Sequence, residues 1–191
     1  MTDFRNAAAR LLVAKSSTLV IIDLQTKLMP AIFEADRVTR NCVLLLRLAE
    51  ILSIPAIVTT QYSKGLGPLV SEVSCAAPGI TPLDKTSFGC FGDEQFSAHL
   101  QTVAPGRDTL LVAGVESHVC VMQTVLAGLN AGFTVHVAKD ATSSRTRENW
   151  EVGLHRMDRA GAEISSTEMM IYELLGKSGT TEFKAILPLL K

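Results

Sequence analysis

Leu110–Leu126, LLVAGVESHVCVMQTVL, runs from an apolar strand-like stretch through a break at Gly114 into a sharp turn, and sets Cys120 where a helix begins. Strand, turn and helix in that order make one step of an alternating α/β chain. At a helix start, unpaired backbone N–H groups and the positive end of the dipole stabilise a thiolate, lowering a cysteine pKa from ~8.5 to roughly 3.5–7.5. Cys120 is therefore a candidate nucleophile. Between Val119 and Val121 it also reads as a small buried hydrophobe, and on this segment alone that second reading is preferred.

Outward from this stretch the pattern repeats. Thr18–Asp23 (TLVIID), Pro55–Thr60 (PAIVTT), Thr109–Ala113 (TLLVA) and Phe133–Ala138 (FTVHVA) are apolar or β-branched runs, with weaker ones near Ile80–Lys85 and Ala162–Ser165. Strands without polar alternation are buried on both faces, and their alternation with helices implies a parallel sheet. A helix is predicted over Asp36–Leu52, where Val38, Cys42, Leu45, Ala49 and Leu52 share a face and Arg37, Arg40 and Glu50 lie on the other. Further helices are predicted from Cys120 to the Asn130–Gly132 breaker, over Arg145–Ala160, and after Ser165, which with Glu168 reads as a capping box. The expectation is one doubly wound, Rossmann-like α/β domain over residues 1–191. Its six-stranded, mainly parallel sheet is flanked by helices, with strand order 3-2-1-4-5-6. Ligands bind such sheets beyond the carboxyl ends of the strands. Asp23, Lys85 and Cys120 all fall on that edge.

Composition narrows the function classes. With 47% hydrophobic and 19% charged residues and a net charge of −1, the chain reads as a globular protein with no electrostatic reason to bind nucleic acid or an anionic membrane. A small neutral or weakly charged substrate fits better. Cys42, Cys75, Cys90 and Cys120 have neither CxxC spacing nor a Cys/His cluster, which predicts separate reduced thiols, no zinc and a cytoplasmic location. The basic N-terminal segment with Arg5, Arg10 and Lys15 has a weak transit-peptide character, set against an ordinary N-terminal helix or arm. No apolar run approaches the ~20 residues of a membrane span.

The motifs LVIIDLQTKLMP around Asp23, DKTSF around Lys85 and AGVESHVCVMQTVLAGLNAGFTVHVAKDATSS around Cys120 resemble those of the isochorismatase-like cysteine hydrolases, over nearly the whole chain. QYSKGLGP (Gln61–Pro68) and the STE segment near the C-terminus look like the subgroup of isochorismatase-domain-containing proteins. The resemblance implies a catalytic Asp23/Lys85/Cys120 triad: Asp23 takes the thiol proton, Lys85 holds Asp23 and adds positive potential, and Cys120 attacks a carbonyl carbon. It further implies a backbone oxyanion hole at Glu116 and Cys120, a cis peptide at Val115–Glu116, no cofactor, and a homo-oligomer. Gly114 would accommodate the tight approach in that turn. Gln25, Tyr62, Phe88 and Ser117 are candidates for the substrate pocket, although loop phenylalanines more often cover core.

Each triad member has a plainer reading. Asp23 could cap a loop, and Lys85 could be a surface lysine; the coincidence of all three favours catalysis. Glu116–Ser117–His118 is not a serine-hydrolase triad, because adjacent side chains diverge. Metal-dependent nicotinamidases carry Asp and His after the second strand, where this chain has TTQYSKGLG, so no metal site is expected. Retention of the cysteine points to acyl chemistry on an amide, imide or carbamoyl compound. The alternatives are a vinyl-ether hydrolase of isochorismatase type or a catalytically silent interaction protein of the same fold. A nucleotide-binding module is disfavoured, because the first strand is followed by no glycine-rich phosphate loop.

Overall fold

Strands and helices alternate along the chain, and every neighbouring strand pair in the computed structural model is parallel, so the sheet is wholly rather than mainly parallel. Residues 11–190 are described; Arg5 and Arg10, which carried the targeting and N-terminal-helix readings, lie outside them. The strands are β1 (Ser17–Ile22), β2 (Ala56–Gln61), β3 (Leu83–Lys85), β4 (Thr109–Val115), β5 (Thr134–Ser143) and β6 (Glu163–Ser165). The helices are α1 (Ala35–Ile51), the single turn α2 (Ser63–Leu66), α3 (Ser71–Ala76), α4 (Glu94–Val103), α5 (Met122–Asn130), α6 (Arg147–Arg159), α7 (Thr167–Leu175) and α8 (Thr181–Ile186). The six strands lie in the order β3-β2-β1-β4-β5-β6, which reverses direction between β1 and β4. That reversal opens a crevice beyond the two strand ends.

Both faces of the sheet are dry because successive side chains alternate sides. In β1, Leu19 and Ile21 pack with Val38 and Leu45 of α1, Val73 of α3, Met170 of α7 and Ile186 of α8. Val20 and Ile22 face the other way, onto Phe96 of α4, Val125 of α5 and Leu154 of α6. The predicted face of α1 is the buried one; Leu45 from that face and Leu48, which was not assigned to it, are each no more than 2% exposed. Truncating either to Ala costs about 2–5 kcal/mol.

Besides the short helices α2, α3 and α8, for which the sequence reading has no counterpart, three elements depart from it. β5 runs on to Ser143, because Thr142 and Ser143 pair with Gly114 and Val115 after the β4–β5 register shifts past Val112. Its polar KDATSS tail looks like loop until that partner is in place. α4 was not predicted; it buries only Phe96 and Leu100, too few positions for a clear helical period, and is started by the Asp93 carboxylate accepting from the Gln95 N–H. The N-cap of α7 is Ser166, which accepts from the Met169 N–H, and not Ser165, which ends β6.

Candidate active site

Because the strands are parallel, β1, β2, β3 and β4 end on one edge, and their register sets the neighbours there. Ile22 lies beside Thr59 and Gly114, and Gln61 beside Lys85. Asp23 follows β1 in a left-handed conformation (φ 57°), its N–H donating to the Thr59 carbonyl at 3.2 Å.

Lys85 and Asp23 form a buried ion pair, Nζ to Oδ2 2.7 Å, with side chains 2% and 0% exposed. The Lys85 ammonium also donates to Gln61 Oε1 at 2.8 Å and to the Phe88 carbonyl at 3.1 Å. An ammonium has three protons, so none is left for another acceptor. Thr59 Oγ1 donates to the second carboxylate oxygen, Asp23 Oδ1, at 2.7 Å. Breaking such a buried pair by removing one member costs about 3–5 kcal/mol, since the survivor is left as an unpaired charge.

Cys120 lies within a single π-helical turn, Ser117–Val121, that leads into α5. The charges of Asp23 and Lys85 both bear on its thiol. The thiol is not acidified as expected for a helix start. Burial pushes it up to about 12, the Asp23 charge adds to the rise, and Lys85 opposes it. The resting group is a neutral thiol. The other buried cysteine nearby, Cys90, is also pushed up by burial, to about 11.

The turn before Cys120 depends on Gly114. At φ 114° it would place a Cβ 2.1 Å from the Ile22 carbonyl oxygen, a clash with backbone that only glycine avoids. The Val115–Glu116 peptide is cis. The next three side chains all grip the end of β5. The Glu116 carboxylate accepts from the Arg145 N–H and Nε, Ser117 Oγ donates to the Ser143 carbonyl, and His118 Nδ1 lies 2.9 Å from Ser144 Oγ. These separate partners give Glu116, Ser117 and His118 no mutual contact of triad type.

The four pocket candidates separate into two kinds. Gln25 is fully buried, and its amide clamps the 61–67 loop: Nε2 donates to the Gln61 and Gly67 carbonyls and Oε1 accepts from the Gln61 N–H. Ser117 is buried likewise. Tyr62 and Phe88 are 54% and 56% exposed. Both adjoin Lys85 through the backbone, since the Tyr62 N–H donates to the Lys85 carbonyl and the Phe88 carbonyl accepts from its ammonium. Thr59 and Gln61, which touch the ion pair directly, were not singled out as site residues in the sequence. Their signal is the polar run Thr59–Thr60–Gln61 that closes an apolar strand. Among the described residues there is no group of three or more His, Cys, Asp or Glu that could hold a metal ion, and no helix is long and apolar enough to cross a membrane.

A six-stranded parallel sheet in this order, with an ion pair and a thiol at its switch point, defines a Rossmann-like enzyme fold with the means for hydrolysis. Residues 17–169 match the family model of the isochorismatase domain, and the chain belongs to the isochorismatase family of hydrolases. It is 38% identical to the secreted isochorismatase effector Isc1 of Phytophthora sojae, over 100% of this chain and 93% of that protein. It is 35% identical to isochorismatase domain-containing protein 2A of Mus musculus, over 94% of this chain and 85% of that one. Among solved structures, the MAR1 ribonuclease of Caenorhabditis elegans superposes with a TM-score of 0.87 at 34% identity, covering 95% of this chain and 92% of that one.

Proposed function

We propose that the chain is a metal-independent cysteine hydrolase of a small amide, imide or carbamoyl compound, with Cys120 as nucleophile, Asp23 as general base and acid, and Lys85 as its charged partner. The observation that carries this reading is the fully buried Asp23–Lys85 pair acting on the thiol of Cys120. The Cys120 sulfur attacks the substrate carbonyl carbon as its proton passes to Asp23, and the backbone N–H groups of Glu116 and Cys120 receive the oxyanion. Collapse of the tetrahedral adduct expels the amine, which takes the proton from Asp23 and leaves a thioester. Water then attacks the thioester, again giving its proton to Asp23, and the thiol is restored. Lys85, with all its protons engaged, acts through Asp23 and not on the substrate.

The worm relative is named a ribonuclease. For this chain the net charge of −1 and a nucleophile only 7% exposed favour a small acyl compound over a polyanion. The test is a screen of small amides, imides and carbamoyl compounds, with single-stranded RNA in parallel, using purified protein with and without chelator. Release of amine or ammonia that survives chelation and vanishes in Cys120→Ala supports the proposal. Undiminished turnover by Cys120→Ala, or cleavage of RNA alone, sinks it. A homo-oligomer is part of the same proposal, supported by the apolar side chains that α7 and the C-terminus leave exposed.

A further inference from the structure

The Asp23–Lys85 pair is held from a strand that supplies no reacting group. Thr59 and Gln61 alternate with Thr60 on β2 and so project to the same face. Each takes one member of the pair: Thr59 Oγ1 donates to Asp23 Oδ1 at 2.7 Å, and Gln61 Oε1 accepts from Lys85 Nζ at 2.8 Å. Both are themselves fixed. The Thr59 carbonyl receives the Asp23 N–H, so that residue is tied to Asp23 through side chain and backbone together. Gln61 donates through Nε2 to the Thr86 carbonyl at 2.9 Å, which decides that its amide oxygen and not its nitrogen faces Lys85, and its N–H donates to Gln25 Oε1.

The consequence is directional. A carboxylate held only by Lys85 could rotate about its Cα–Cβ and Cβ–Cγ bonds while keeping one contact to the ammonium. With Oδ1 on Thr59 and Oδ2 on Lys85, both oxygens have assigned donors, and only the remaining lone pairs can meet a third proton. We propose that Thr59 and Gln61 are positioning residues that aim the Asp23 carboxylate at the Cys120 thiol, Thr59 by orienting the carboxylate and Gln61 by keeping Lys85 against it. This rests on the hydrolase reading above.

The test uses p-nitrophenyl acetate, an activated ester that any nucleophilic thiol with an adjacent base can hydrolyse, so no natural substrate is needed. Thr59→Val keeps the shape and removes the hydroxyl; Gln61→Met keeps the length and removes the acceptor. Each should lower kcat by about ten- to a hundredfold with KM within about twofold, the size of a lost hydrogen bond to a charged group. Thr59→Ser restores the hydroxyl without the methyl and should recover most of the lost rate. Asp23→Asn is the reference. If it hydrolyses the ester like the wild type, or if the wild type shows no acylation of Cys120, the hydrolase reading falls and this inference with it. If Asp23→Asn is impaired while Thr59→Val and Gln61→Met keep the wild-type kcat, the positioning role alone is overturned. Equal loss in Thr59→Ser and Thr59→Val also overturns it, because the defect then follows packing and not the hydroxyl. Should Thr59→Val fail to fold, Gln61→Met and Thr59→Ser decide the matter by the same criteria.

Discussion

At Cys120 two physical effects compete, and burial wins. A helix start acidifies a thiol, but a site 7% exposed beside an anionic carboxylate raises it further than the dipole can lower it. The charges around the thiol fix the sign of two variants. Lys85→Met removes the group that opposes the rise and should push the apparent pKa of Cys120 up, while Asp23→Asn removes a group that causes it and should bring the pKa down. Iodoacetamide alkylation of Cys120 across alkaline pH reads both shifts, and unchanged profiles in the two variants would mean that the three residues do not form one site. Cys42→Ala serves as the control for Cys120→Ala. Its thiol is fully buried on the apolar face of α1, donating to the Ala141 carbonyl, so the variant should lose stability in denaturant titration and keep its turnover.

Among the elements, the β4–α5 connection bears the tightest constraint. Gly114 lies against the Ile22 backbone, and the residues that follow are bound to the end of β5, so the turn that presents Cys120 is held from both neighbouring strands. Gly114→Ala puts a methyl group into a carbonyl oxygen that cannot move without breaking the β1–β4 ladder. It should destabilise the protein by more than about 2 kcal/mol, through strain and clash together. Urea unfolding measures this; a loss under about 0.5 kcal/mol, the level of a neutral surface change, would show that the turn relaxes freely. Strand and helix positions were legible because apolar runs and three-to-four spacing are local signals. α4 and the extension of β5 were not, since one has only two buried anchors and the other is polar and needs β4 beside it.

For the molecule as a whole, buried thiols tie stability to alkaline pH. Cys90 and Cys120 are raised from the ordinary 9.0 to about 11 and about 12, and Cys42 is raised beyond them, all chiefly by burial. A raised acid stays protonated in the folded state while its unfolded counterpart ionises, so its contribution is complete below about pH 9 and is lost as pH rises towards the folded value. Each such thiol should remove about 1.4 kcal/mol per pH unit above that point. Denaturant titrations at about pH 8 and about pH 10 should show the loss, and the Cys42→Ala/Cys90→Ala variant should show a shallower one; equal slopes would contradict the assignment. Assembly is decided at the same scale. Met169 and Tyr172 stand one turn apart on α7, 54% and 48% exposed, with Leu189 at 50% near the C-terminus. Light scattering should give at least a dimer, and Tyr172→Glu should shift it towards monomer. A monomeric wild type would rule out the proposed homo-oligomer.

The sequence by itself determined the alternation of buried strands and amphipathic helices, hence a parallel α/β sheet, and it marked Asp23, Lys85 and Cys120 as strand-end residues through their motifs. Those are local properties of composition and period. Only the tertiary structure decided that Thr59 and Gln61 hold the ion pair, that Gln25 and Ser117 serve as clamps, and that Cys120 rests as a neutral thiol. Such facts depend on register between strands far apart in the chain and on the exclusion of water from their shared edge, neither of which is written in any one segment.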